Sequence, residues 1–473
     1  MSDVASADEN PAINIVADFL SEVPSSVTAD LRHSAARIVL NGLRAALSAS
    51  GEPLLERMRL EKAASCGGGD GAGVLFTDTR LSAEDAALCN QQAWLYFLLD
   101  DVEPRSGIHP GGPAITAALA LAEQSGRSSK AVSGQQFLNA VVAGIEVQVA
   151  VALASAPEML LERGFAPLSA LSPIGAAAAA CVLDDTPAHQ TRHAVGMAAM
   201  SGIGMWEMGG SSSAGFLTAL GMRSGLASWQ AAKVGFEAPK GAIDGKFGSF
   251  RAYTGKAPEV IREHLQSLGT TWATSDILFQ PYSGDTFTQA PLVALKSLRD
   301  ALDEGVDRPV IENIIVHVSA RTAAGVAHKS ARHAKIPDAL AFNSDPKSRM
   351  AAGWLHGIYS FEQGWDHLIG DAEIEDLRER VEFREDSAIE PISSARVELQ
   401  FADGRSEQTD TVSFPGSAEN PMSDQQVEDA FREAARGKLS DGRCDRIIDA
   451  IWGLETASDM SGLFNGISAA PDL

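Results

Sequence analysis

A chain of 473 residues, 45% of them hydrophobic and 21% charged, is long enough for two folded domains that need no metal or disulfide to hold them. Its formal net charge of −24 speaks against nucleic acid or an anionic membrane surface as a partner and favours solubility. Only 6% of residues are aromatic and Ala-rich runs recur, which predicts a mostly helical protein rather than a β-sandwich.

The opening stretch, MSDVASADENPAIN, is acidic and polar and lacks the basic-then-apolar pattern of an export signal, so the cytoplasm is the expected location. No uninterrupted apolar run reaches the roughly 18 residues of a membrane span. From residue 12 to about residue 275 the pattern is helix after helix. Val27 to Ser50 places Leu31, Ala35, Ile38, Val39 and Leu43 on one face at three-four spacing. Ser133 to Ala154 and Pro187 to Gly202 are apolar around much of their circumference, which predicts helices buried on several sides. Cys66 to Asp70, CGGGD, reads as a loop; no Gly-Lys-Ser/Thr follows, so it is not a phosphate loop.

Four cysteines, Cys66, Cys89, Cys181 and Cys444, lie far apart without zinc-ligand or redox spacing, and Cys89 and Cys181 fall in apolar helical runs as core thiols. His189 and His193 are one helical turn apart, but no acidic third ligand follows. Neither a metal nor any other cofactor is expected, since a dinucleotide fingerprint is also absent.

After Thr271 the period changes to two: Ile314, Val316 and Val318 alternate, as do Val397, Leu399 and Phe401. Asp403-Gly404 then predicts a hairpin into Arg405 to Ser413. From Ser423, with Gln426 three residues on, a capping box starts a helix that carries Val427, Ala430, Phe431 and Ala434, and a last helix runs through Cys444 to Leu454. The expected fold is therefore mostly α with an α+β part. A large all-helical domain, residues 1–275, is completed by residues 415–473, and a smaller α+β lid spans residues 276–414.

Several blocks resemble one family. Asn90 followed by Asp100-Asp101 and His109-Pro110-Gly111 is similar to its Asn-Gly…His…Asp-x-Asp-Asp-Thr…His-Pro signature. Gly164-Phe165-Ala166-Pro167 with Gly175-Ala176-Ala177 resembles the next block, and Ser201-Gly202 through Ala214 and Gly225 through Gly235-Phe236 the third. Phe279-Gln280-Pro281-Tyr282 resembles the Phe-Lys-Pro-Tyr that opens the lid, and Ser417 to Leu463, with Asn420-Pro421, resembles the C-terminal block. On these blocks the chain resembles the MmgE/PrpD family, which includes 2-methylcitrate dehydratase, cis-aconitate decarboxylase and iminodisuccinate epimerase. The resemblance implies a homodimer built through the helical domain and a site in the cleft beneath the lid.

Such chemistry moves a proton next to a carboxylate or imine, and needs an acid, a base and cations for the carboxylates. The resemblance locates these groups, and this chain departs from most of them. An aspartate is replaced by Leu98, histidines by Ala166, Leu217 and Gln289, and lysines by Ala214 and Gln280. His109 is retained. The candidate reagents are His109, Tyr282, Asp101 and Glu207, and Leu98, Ala166, Ala214, Trp206 and Gln280 are the expected substrate-pocket residues. Glu207 stands in an apolar run and is either a solvent-facing carboxylate or an enclosed one of raised proton affinity, while Asp100 and Asp101 carry, by resemblance, backbone hydrogen bonds around the site. Asp285 and Thr286 are secondary candidates. Tyr359 stands close to where the family has a tyrosine. The densest basic stretch, Ala327 to Lys335, could hold a phosphate, a carboxylate or an acidic carrier protein, or be a solvated face.

Three readings follow. The first is a repurposed lyase, isomerase or cyclase that uses acid–base chemistry on an apolar or weakly charged carbonyl or carboxylic small molecule. The second is an ordinary dehydratase or epimerase acting on a polycarboxylate, and the third a non-catalytic homologue that binds.

Overall fold

A computed structural model describes residues 11–66, 71–127, 131–156, 158–302, 309–331, 335–360 and 365–472. The glycine loop at 67–70 and Arg332 and His333 of the basic stretch lie outside the described residues.

One apolar core draws on residues 12–279 and again on 422–467, and helices build it. Gly134–Ser155 runs through its centre, packed against Ser172–Leu183 and Gly111–Arg127. This helix is long and apolar enough to cross a membrane, but it is almost wholly buried by its neighbours. Small residues let the three helices approach: a Cβ on Gly144 would stand 2.6 Å from Ala114 Cβ and 2.7 Å from the Gly175 carbonyl. Ser172–Leu183 is buried on every side. Ala188–Met200 is not, because His189 and Met200 reach solvent, so that helix has one buried face. His193 there accepts a hydrogen bond from the Ala238 N–H at 3.1 Å, a structural role.

The last helices return to this core. Ser423 and Gln426 form the predicted capping box at the start of Asp424–Ala435, which lies against Ala29–Ser48. Asp441–Trp452 buries Cys444, Ile447, Ile448 and Ile451.

A second core gathers Val102, Leu278 and residues 290–414 around a five-stranded sheet. Its order is Val381–Glu385, Ile311–Val318, Ser394–Phe401, Ser406–Gln408, with Val412–Ser413 also on Ser394–Phe401. The first pair is parallel and the rest antiparallel. Helices Thr286–Leu302 and Pro346–His356 pack together, the former against Ser394–Phe401.

The two cores are joined where the site will stand. Asp101–Val102 pairs antiparallel with Leu278–Phe279, which puts an aspartate of the helical part on the first strand of the lid. Arg44, buried in Ala29–Ser48, donates to the Gln280 carbonyl at 2.9 Å and to the Pro281 carbonyl at 3.0 Å. From the lid side Asn343 Nδ2 donates to the Phe97 carbonyl at 3.0 Å, and buried Arg349 holds Asn343 by donating to its Oδ1 at 2.8 Å. Gly284 donates to the Phe97 carbonyl at 2.9 Å. Charge-assisted hydrogen bonds of this kind are geometrically exacting, and they fix residues 97–101 against residues 278–284.

Candidate active site

The loop after Asp101 is closed upon itself. Glu103 N–H donates to the Ile108 carbonyl at 2.9 Å, while the buried Glu103 carboxylate takes Ser106 N–H at 2.7 Å and Ser106 Oγ–H at 2.5 Å. This knot delivers His109 back beside the two aspartates.

His109 Nδ1 lies 3.0 Å from Asp100 Oδ1, with Asp100 fully buried and His109 8% exposed. A carboxylate only accepts, so Nδ1 carries the proton of this bond and Nε2 is the atom free to exchange one. Burial opposes the imidazolium, but the Asp100 charge and hydrogen bond, with Asp101 behind them, hold the His109 pKa above the ordinary histidine value; Lys329 pulls the other way. Asp101 turns elsewhere. Its Oδ2 accepts from the Gly111 N–H at 2.6 Å, at the first turn of Gly111–Arg127. The helix start is thus served by Asp101, and His109 is left to Asp100. Burial, then the Asp100 charge, push the Asp101 carboxyl up to about 6, against the lowering effect of Gly111 and His109. Asp100 Oδ2 and Asp101 Oδ1 are buried without a hydrogen-bond partner. Unsatisfied buried acceptors of this kind need a proton, a water or a ligand.

The other candidates fall into distinct places. Ala166 is fully buried and donates its N–H to the Gly204 carbonyl at 3.1 Å, beside the Phe165–Met205 bridge. Trp206 follows on a short 3-10 helix, its ring stacked on His328 of the lid with centroids 6.3 Å apart. Glu207 is exposed there, which is the solvent-facing alternative and not an enclosed acid–base carboxylate. Ala214 is half-buried in the first turn of Ser213–Lys233. Leu98 has a left-handed backbone, φ 53°, and its carbonyl accepts from Gln280 Nε2 at 3.1 Å. Gln289 spends its amide on the lid loop, accepting from Tyr282 N–H at 3.1 Å and donating to the Asp285 carbonyl at 3.2 Å. Tyr282 packs on the lid core with its ring 5.8 Å from Tyr359, and burial raises its pKa, with Asp300 adding to the effect. The structure therefore brings together His109, Asp100 and Asp101, and ties Leu98 to Gln280 across the junction of the two cores.

Grooves of about 540 Å³, between Ala12–Ser26 and Pro258–Leu265, and about 290 Å³, beside Arg37 and Phe279, are not lined by His109. Among the described residues no three His, Cys, Asp or Glu side chains stand together as a metal site.

The MmgE/PrpD N-terminal domain matches residues 15–261 and the MmgE/PrpD C-terminal domain matches residues 349–454. The chain belongs to the MmgE/PrpD family. Cis-aconitate decarboxylase of Aspergillus terreus is 24% identical over 493 residues, covering 97% of this chain and 96% of that protein. A cis-aconitate decarboxylase-like protein, oryM, of Aspergillus oryzae is 25% identical over 483 residues, covering 98% of each. This MmgE/PrpD protein thus has the helical part and the smaller α+β part expected of it.

Two groups at the site carried no clear sequence signal. By resemblance Asp100 carries backbone hydrogen bonds, and the folded loop 103–108 makes it the histidine's partner. Arg44 sits in an ordinary amphipathic helix, where nothing marks it as the residue that pins Gln280 and Pro281.

Proposed function

We propose that this MmgE/PrpD protein is an acid–base enzyme of the lyase or isomerase kind, acting on a carbonyl or carboxylic substrate with fewer charges than a tricarboxylate. The observation that carries the reading is the buried Asp100–His109 pair at 3.0 Å on the junction of the two cores. Asp100 orients the imidazole and stabilises its protonated form. His109 Nε2 then takes a proton from carbon next to a carbonyl or carboxylate, or returns it. Asp101 holds the helix start behind the pair through the Gly111 N–H and keeps the aspartates in register.

Support for a lower substrate charge comes from the positions expected to line the pocket. Leu98, Ala166, Ala214 and Gln280 offer no cation, and a buried carboxylate without a partner costs several kcal/mol. His109 is nearly covered, so substrate access needs the lid to move away from it. Once the lid closes, exclusion of water strengthens every charge interaction within.

The test follows proton exchange by NMR in D2O, with short 2-alkenoic and 2-oxo monocarboxylic acids as probes. Deuterium incorporation at a specific carbon is expected, and His109→Ala should slow it by about 10²-fold or more. Exchange unchanged in His109→Ala would sink the reading. The near full-length match to cis-aconitate decarboxylases supports a second reading, decarboxylation of that tricarboxylate itself. Carbon dioxide release from cis-aconitate separates the two.

A further inference from the structure

The loop of residues 103–108, which presents His109, is held from within and from the lid. Within it, the N–H groups of Glu103, Ser106 and Gly107 donate to the Ile108 carbonyl, the Glu103 carboxylate and the Glu103 carbonyl. Arg105 Nε donates to the same carboxylate at 2.6 Å. The carbonyls of Pro104 and Arg105 take their donor from the lid. One guanidinium nitrogen of Arg321 reaches the first at 3.0 Å and the second at 2.6 Å. Gly107 makes room for it: its φ is 74°, and a Cβ there would stand 3.2 Å from Arg321 Nη2.

Arg321 is in turn tied to the centre of the lid. Strand Ile311–Val318 pairs with Val381–Glu385 on one side and Ser394–Phe401 on the other, and Ser319 alone separates it from helix Ala320–Ser330. Ser319 caps that helix, its Oγ accepting from the Thr322 N–H at 3.3 Å, so Arg321 in the first turn keeps a fixed relation to the sheet. The position of the lid is thereby transmitted to the loop. It reaches the reacting group as well, because the His109–Asp100 hydrogen bond at 3.0 Å closes across the two ends of that loop. Displacements of about 1 Å in such a pair are costly to proton transfer.

We propose that Arg321 is a positioning residue for His109: it closes the loop 103–108 from the lid, so that His109 is aligned on Asp100 when the lid is seated and loosened when the lid lifts. This role rests on the reading of His109 as the proton-transfer residue and deepens it. Substrate enters past a lifted lid, and proton transfer is confined to the closed state, from which water is excluded.

Removing Arg321 has two effects of opposite sign. Loss of a cation by itself favours the imidazolium and moves its titration to higher pH. Loss of alignment moves it to lower pH. Burial works against the imidazolium, and the Asp100 charge and hydrogen bond, with Asp101, more than offset it, while Lys329 opposes them.

The purified full chain, labelled with 13C at the histidine ring, is titrated by NMR, and His109→Ala identifies the resonance. In Arg321→Met the His109 resonance should titrate at lower pH than in the parent. Arg321→Lys should restore it at least in part, since a single nitrogen makes both bonds. Arg384→Met, which removes an exposed arginine elsewhere on the lid, should leave the titration as it was. In the proton-exchange assay Arg321→Met should lower the saturated rate about tenfold or more, with half-saturation by the probe within about twofold of the parent. A His109 titration in Arg321→Met that matches the parent, or moves to higher pH, would overturn the proposal. So would an Arg321→Lys variant no different from Arg321→Met, or an equal displacement in Arg384→Met. Melting curves accompany every variant; should Arg321→Met not fold, Arg321→Gln takes its place and is read in the same way.

The titration needs no substrate, so the two proposals fail separately. Exchange intact in His109→Ala, with the titration at lower pH in Arg321→Met, removes the function and leaves the alignment. Exchange lost in His109→Ala, with the titration unmoved in Arg321→Met, does the reverse.

Discussion

Gln280 donates its side-chain amide to the carbonyl of Leu98 at 3.1 Å, so two positions where family resemblance implies a lysine and an aspartate are now tied to each other. The bond spans the junction of the two cores and steadies a leucine whose φ of 53° lies in the left-handed region. That conformation costs about 1–2 kcal/mol for a residue with a Cβ. Gln280→Ala would leave the carbonyl without this donor, and the expected loss of stability is about 1–3 kcal/mol. Urea denaturation measures it directly; a change within about 0.3 kcal/mol would mean that the bond contributes nothing net.

Asp100→Asn should lower the His109 pKa, because the Asp100 charge is what offsets the burial of the imidazole. The neutral, proton-accepting form would then persist to lower pH. The acid limb of the exchange-rate profile, where His109 becomes protonated, should accordingly move to lower pH, while the maximal rate falls as imidazolium stabilisation is lost. An unshifted profile would show that Asp100 does not act through His109.

Asp101 sets a second pH dependence. Its folded pKa of about 6 lies above the usual 3.8, so the fold prefers the protonated carboxyl, and stability falls as pH rises through that window. His109 has the same sign: its contribution is complete below the ordinary 6.5 and is lost as pH rises through its raised folded pKa. Asp101→Asn can still accept from Gly111, and it removes the first effect. The variant should gain about 2–3 kcal/mol over the parent at pH 7 and little at pH 4. Paired melting curves across that range test it, and an equal difference at both pH values would refute the assignment.

Cis-aconitate should be a poor substrate. Loss of a general acid or base costs about 10²–10⁴ in rate, and here the replaced positions include Leu98, Ala166, Ala214 and Gln280 together. A direct assay of purified protein that found ordinary enzymatic turnover would establish the decarboxylase reading instead.

Gly144→Ala should destabilise the helical core. The added methyl would stand 2.6 Å from Ala114 Cβ and 2.7 Å from the Gly175 carbonyl, both on packed helices that cannot yield cheaply. A loss of about 1–3 kcal/mol in denaturation is expected, with the family's proton chemistry, whatever its substrate, altered less than the melting temperature.

Periodicity and composition alone determined the helix-rich first part, the switch to strands after residue 271 and the capping box at Ser423, because each depends on neighbours a few residues apart. Motif order determined the family, and that Ala166, Ala214 and Gln280 carry no charge is visible without a structure. Pairing was another matter. That His109 belongs to Asp100 while Asp101 caps a helix depends on how the loop 103–108 closes, and the two adjacent aspartates are chemically identical in sequence. Exposure of Glu207, packing of Tyr282 on Tyr359 and the approach of Lys329 to Asp285 depend on tertiary packing, the last two on how the lid folds on itself. Residues 285 and 329 are far apart along the chain, and only the folding of the lid on itself sets the distance between their charges.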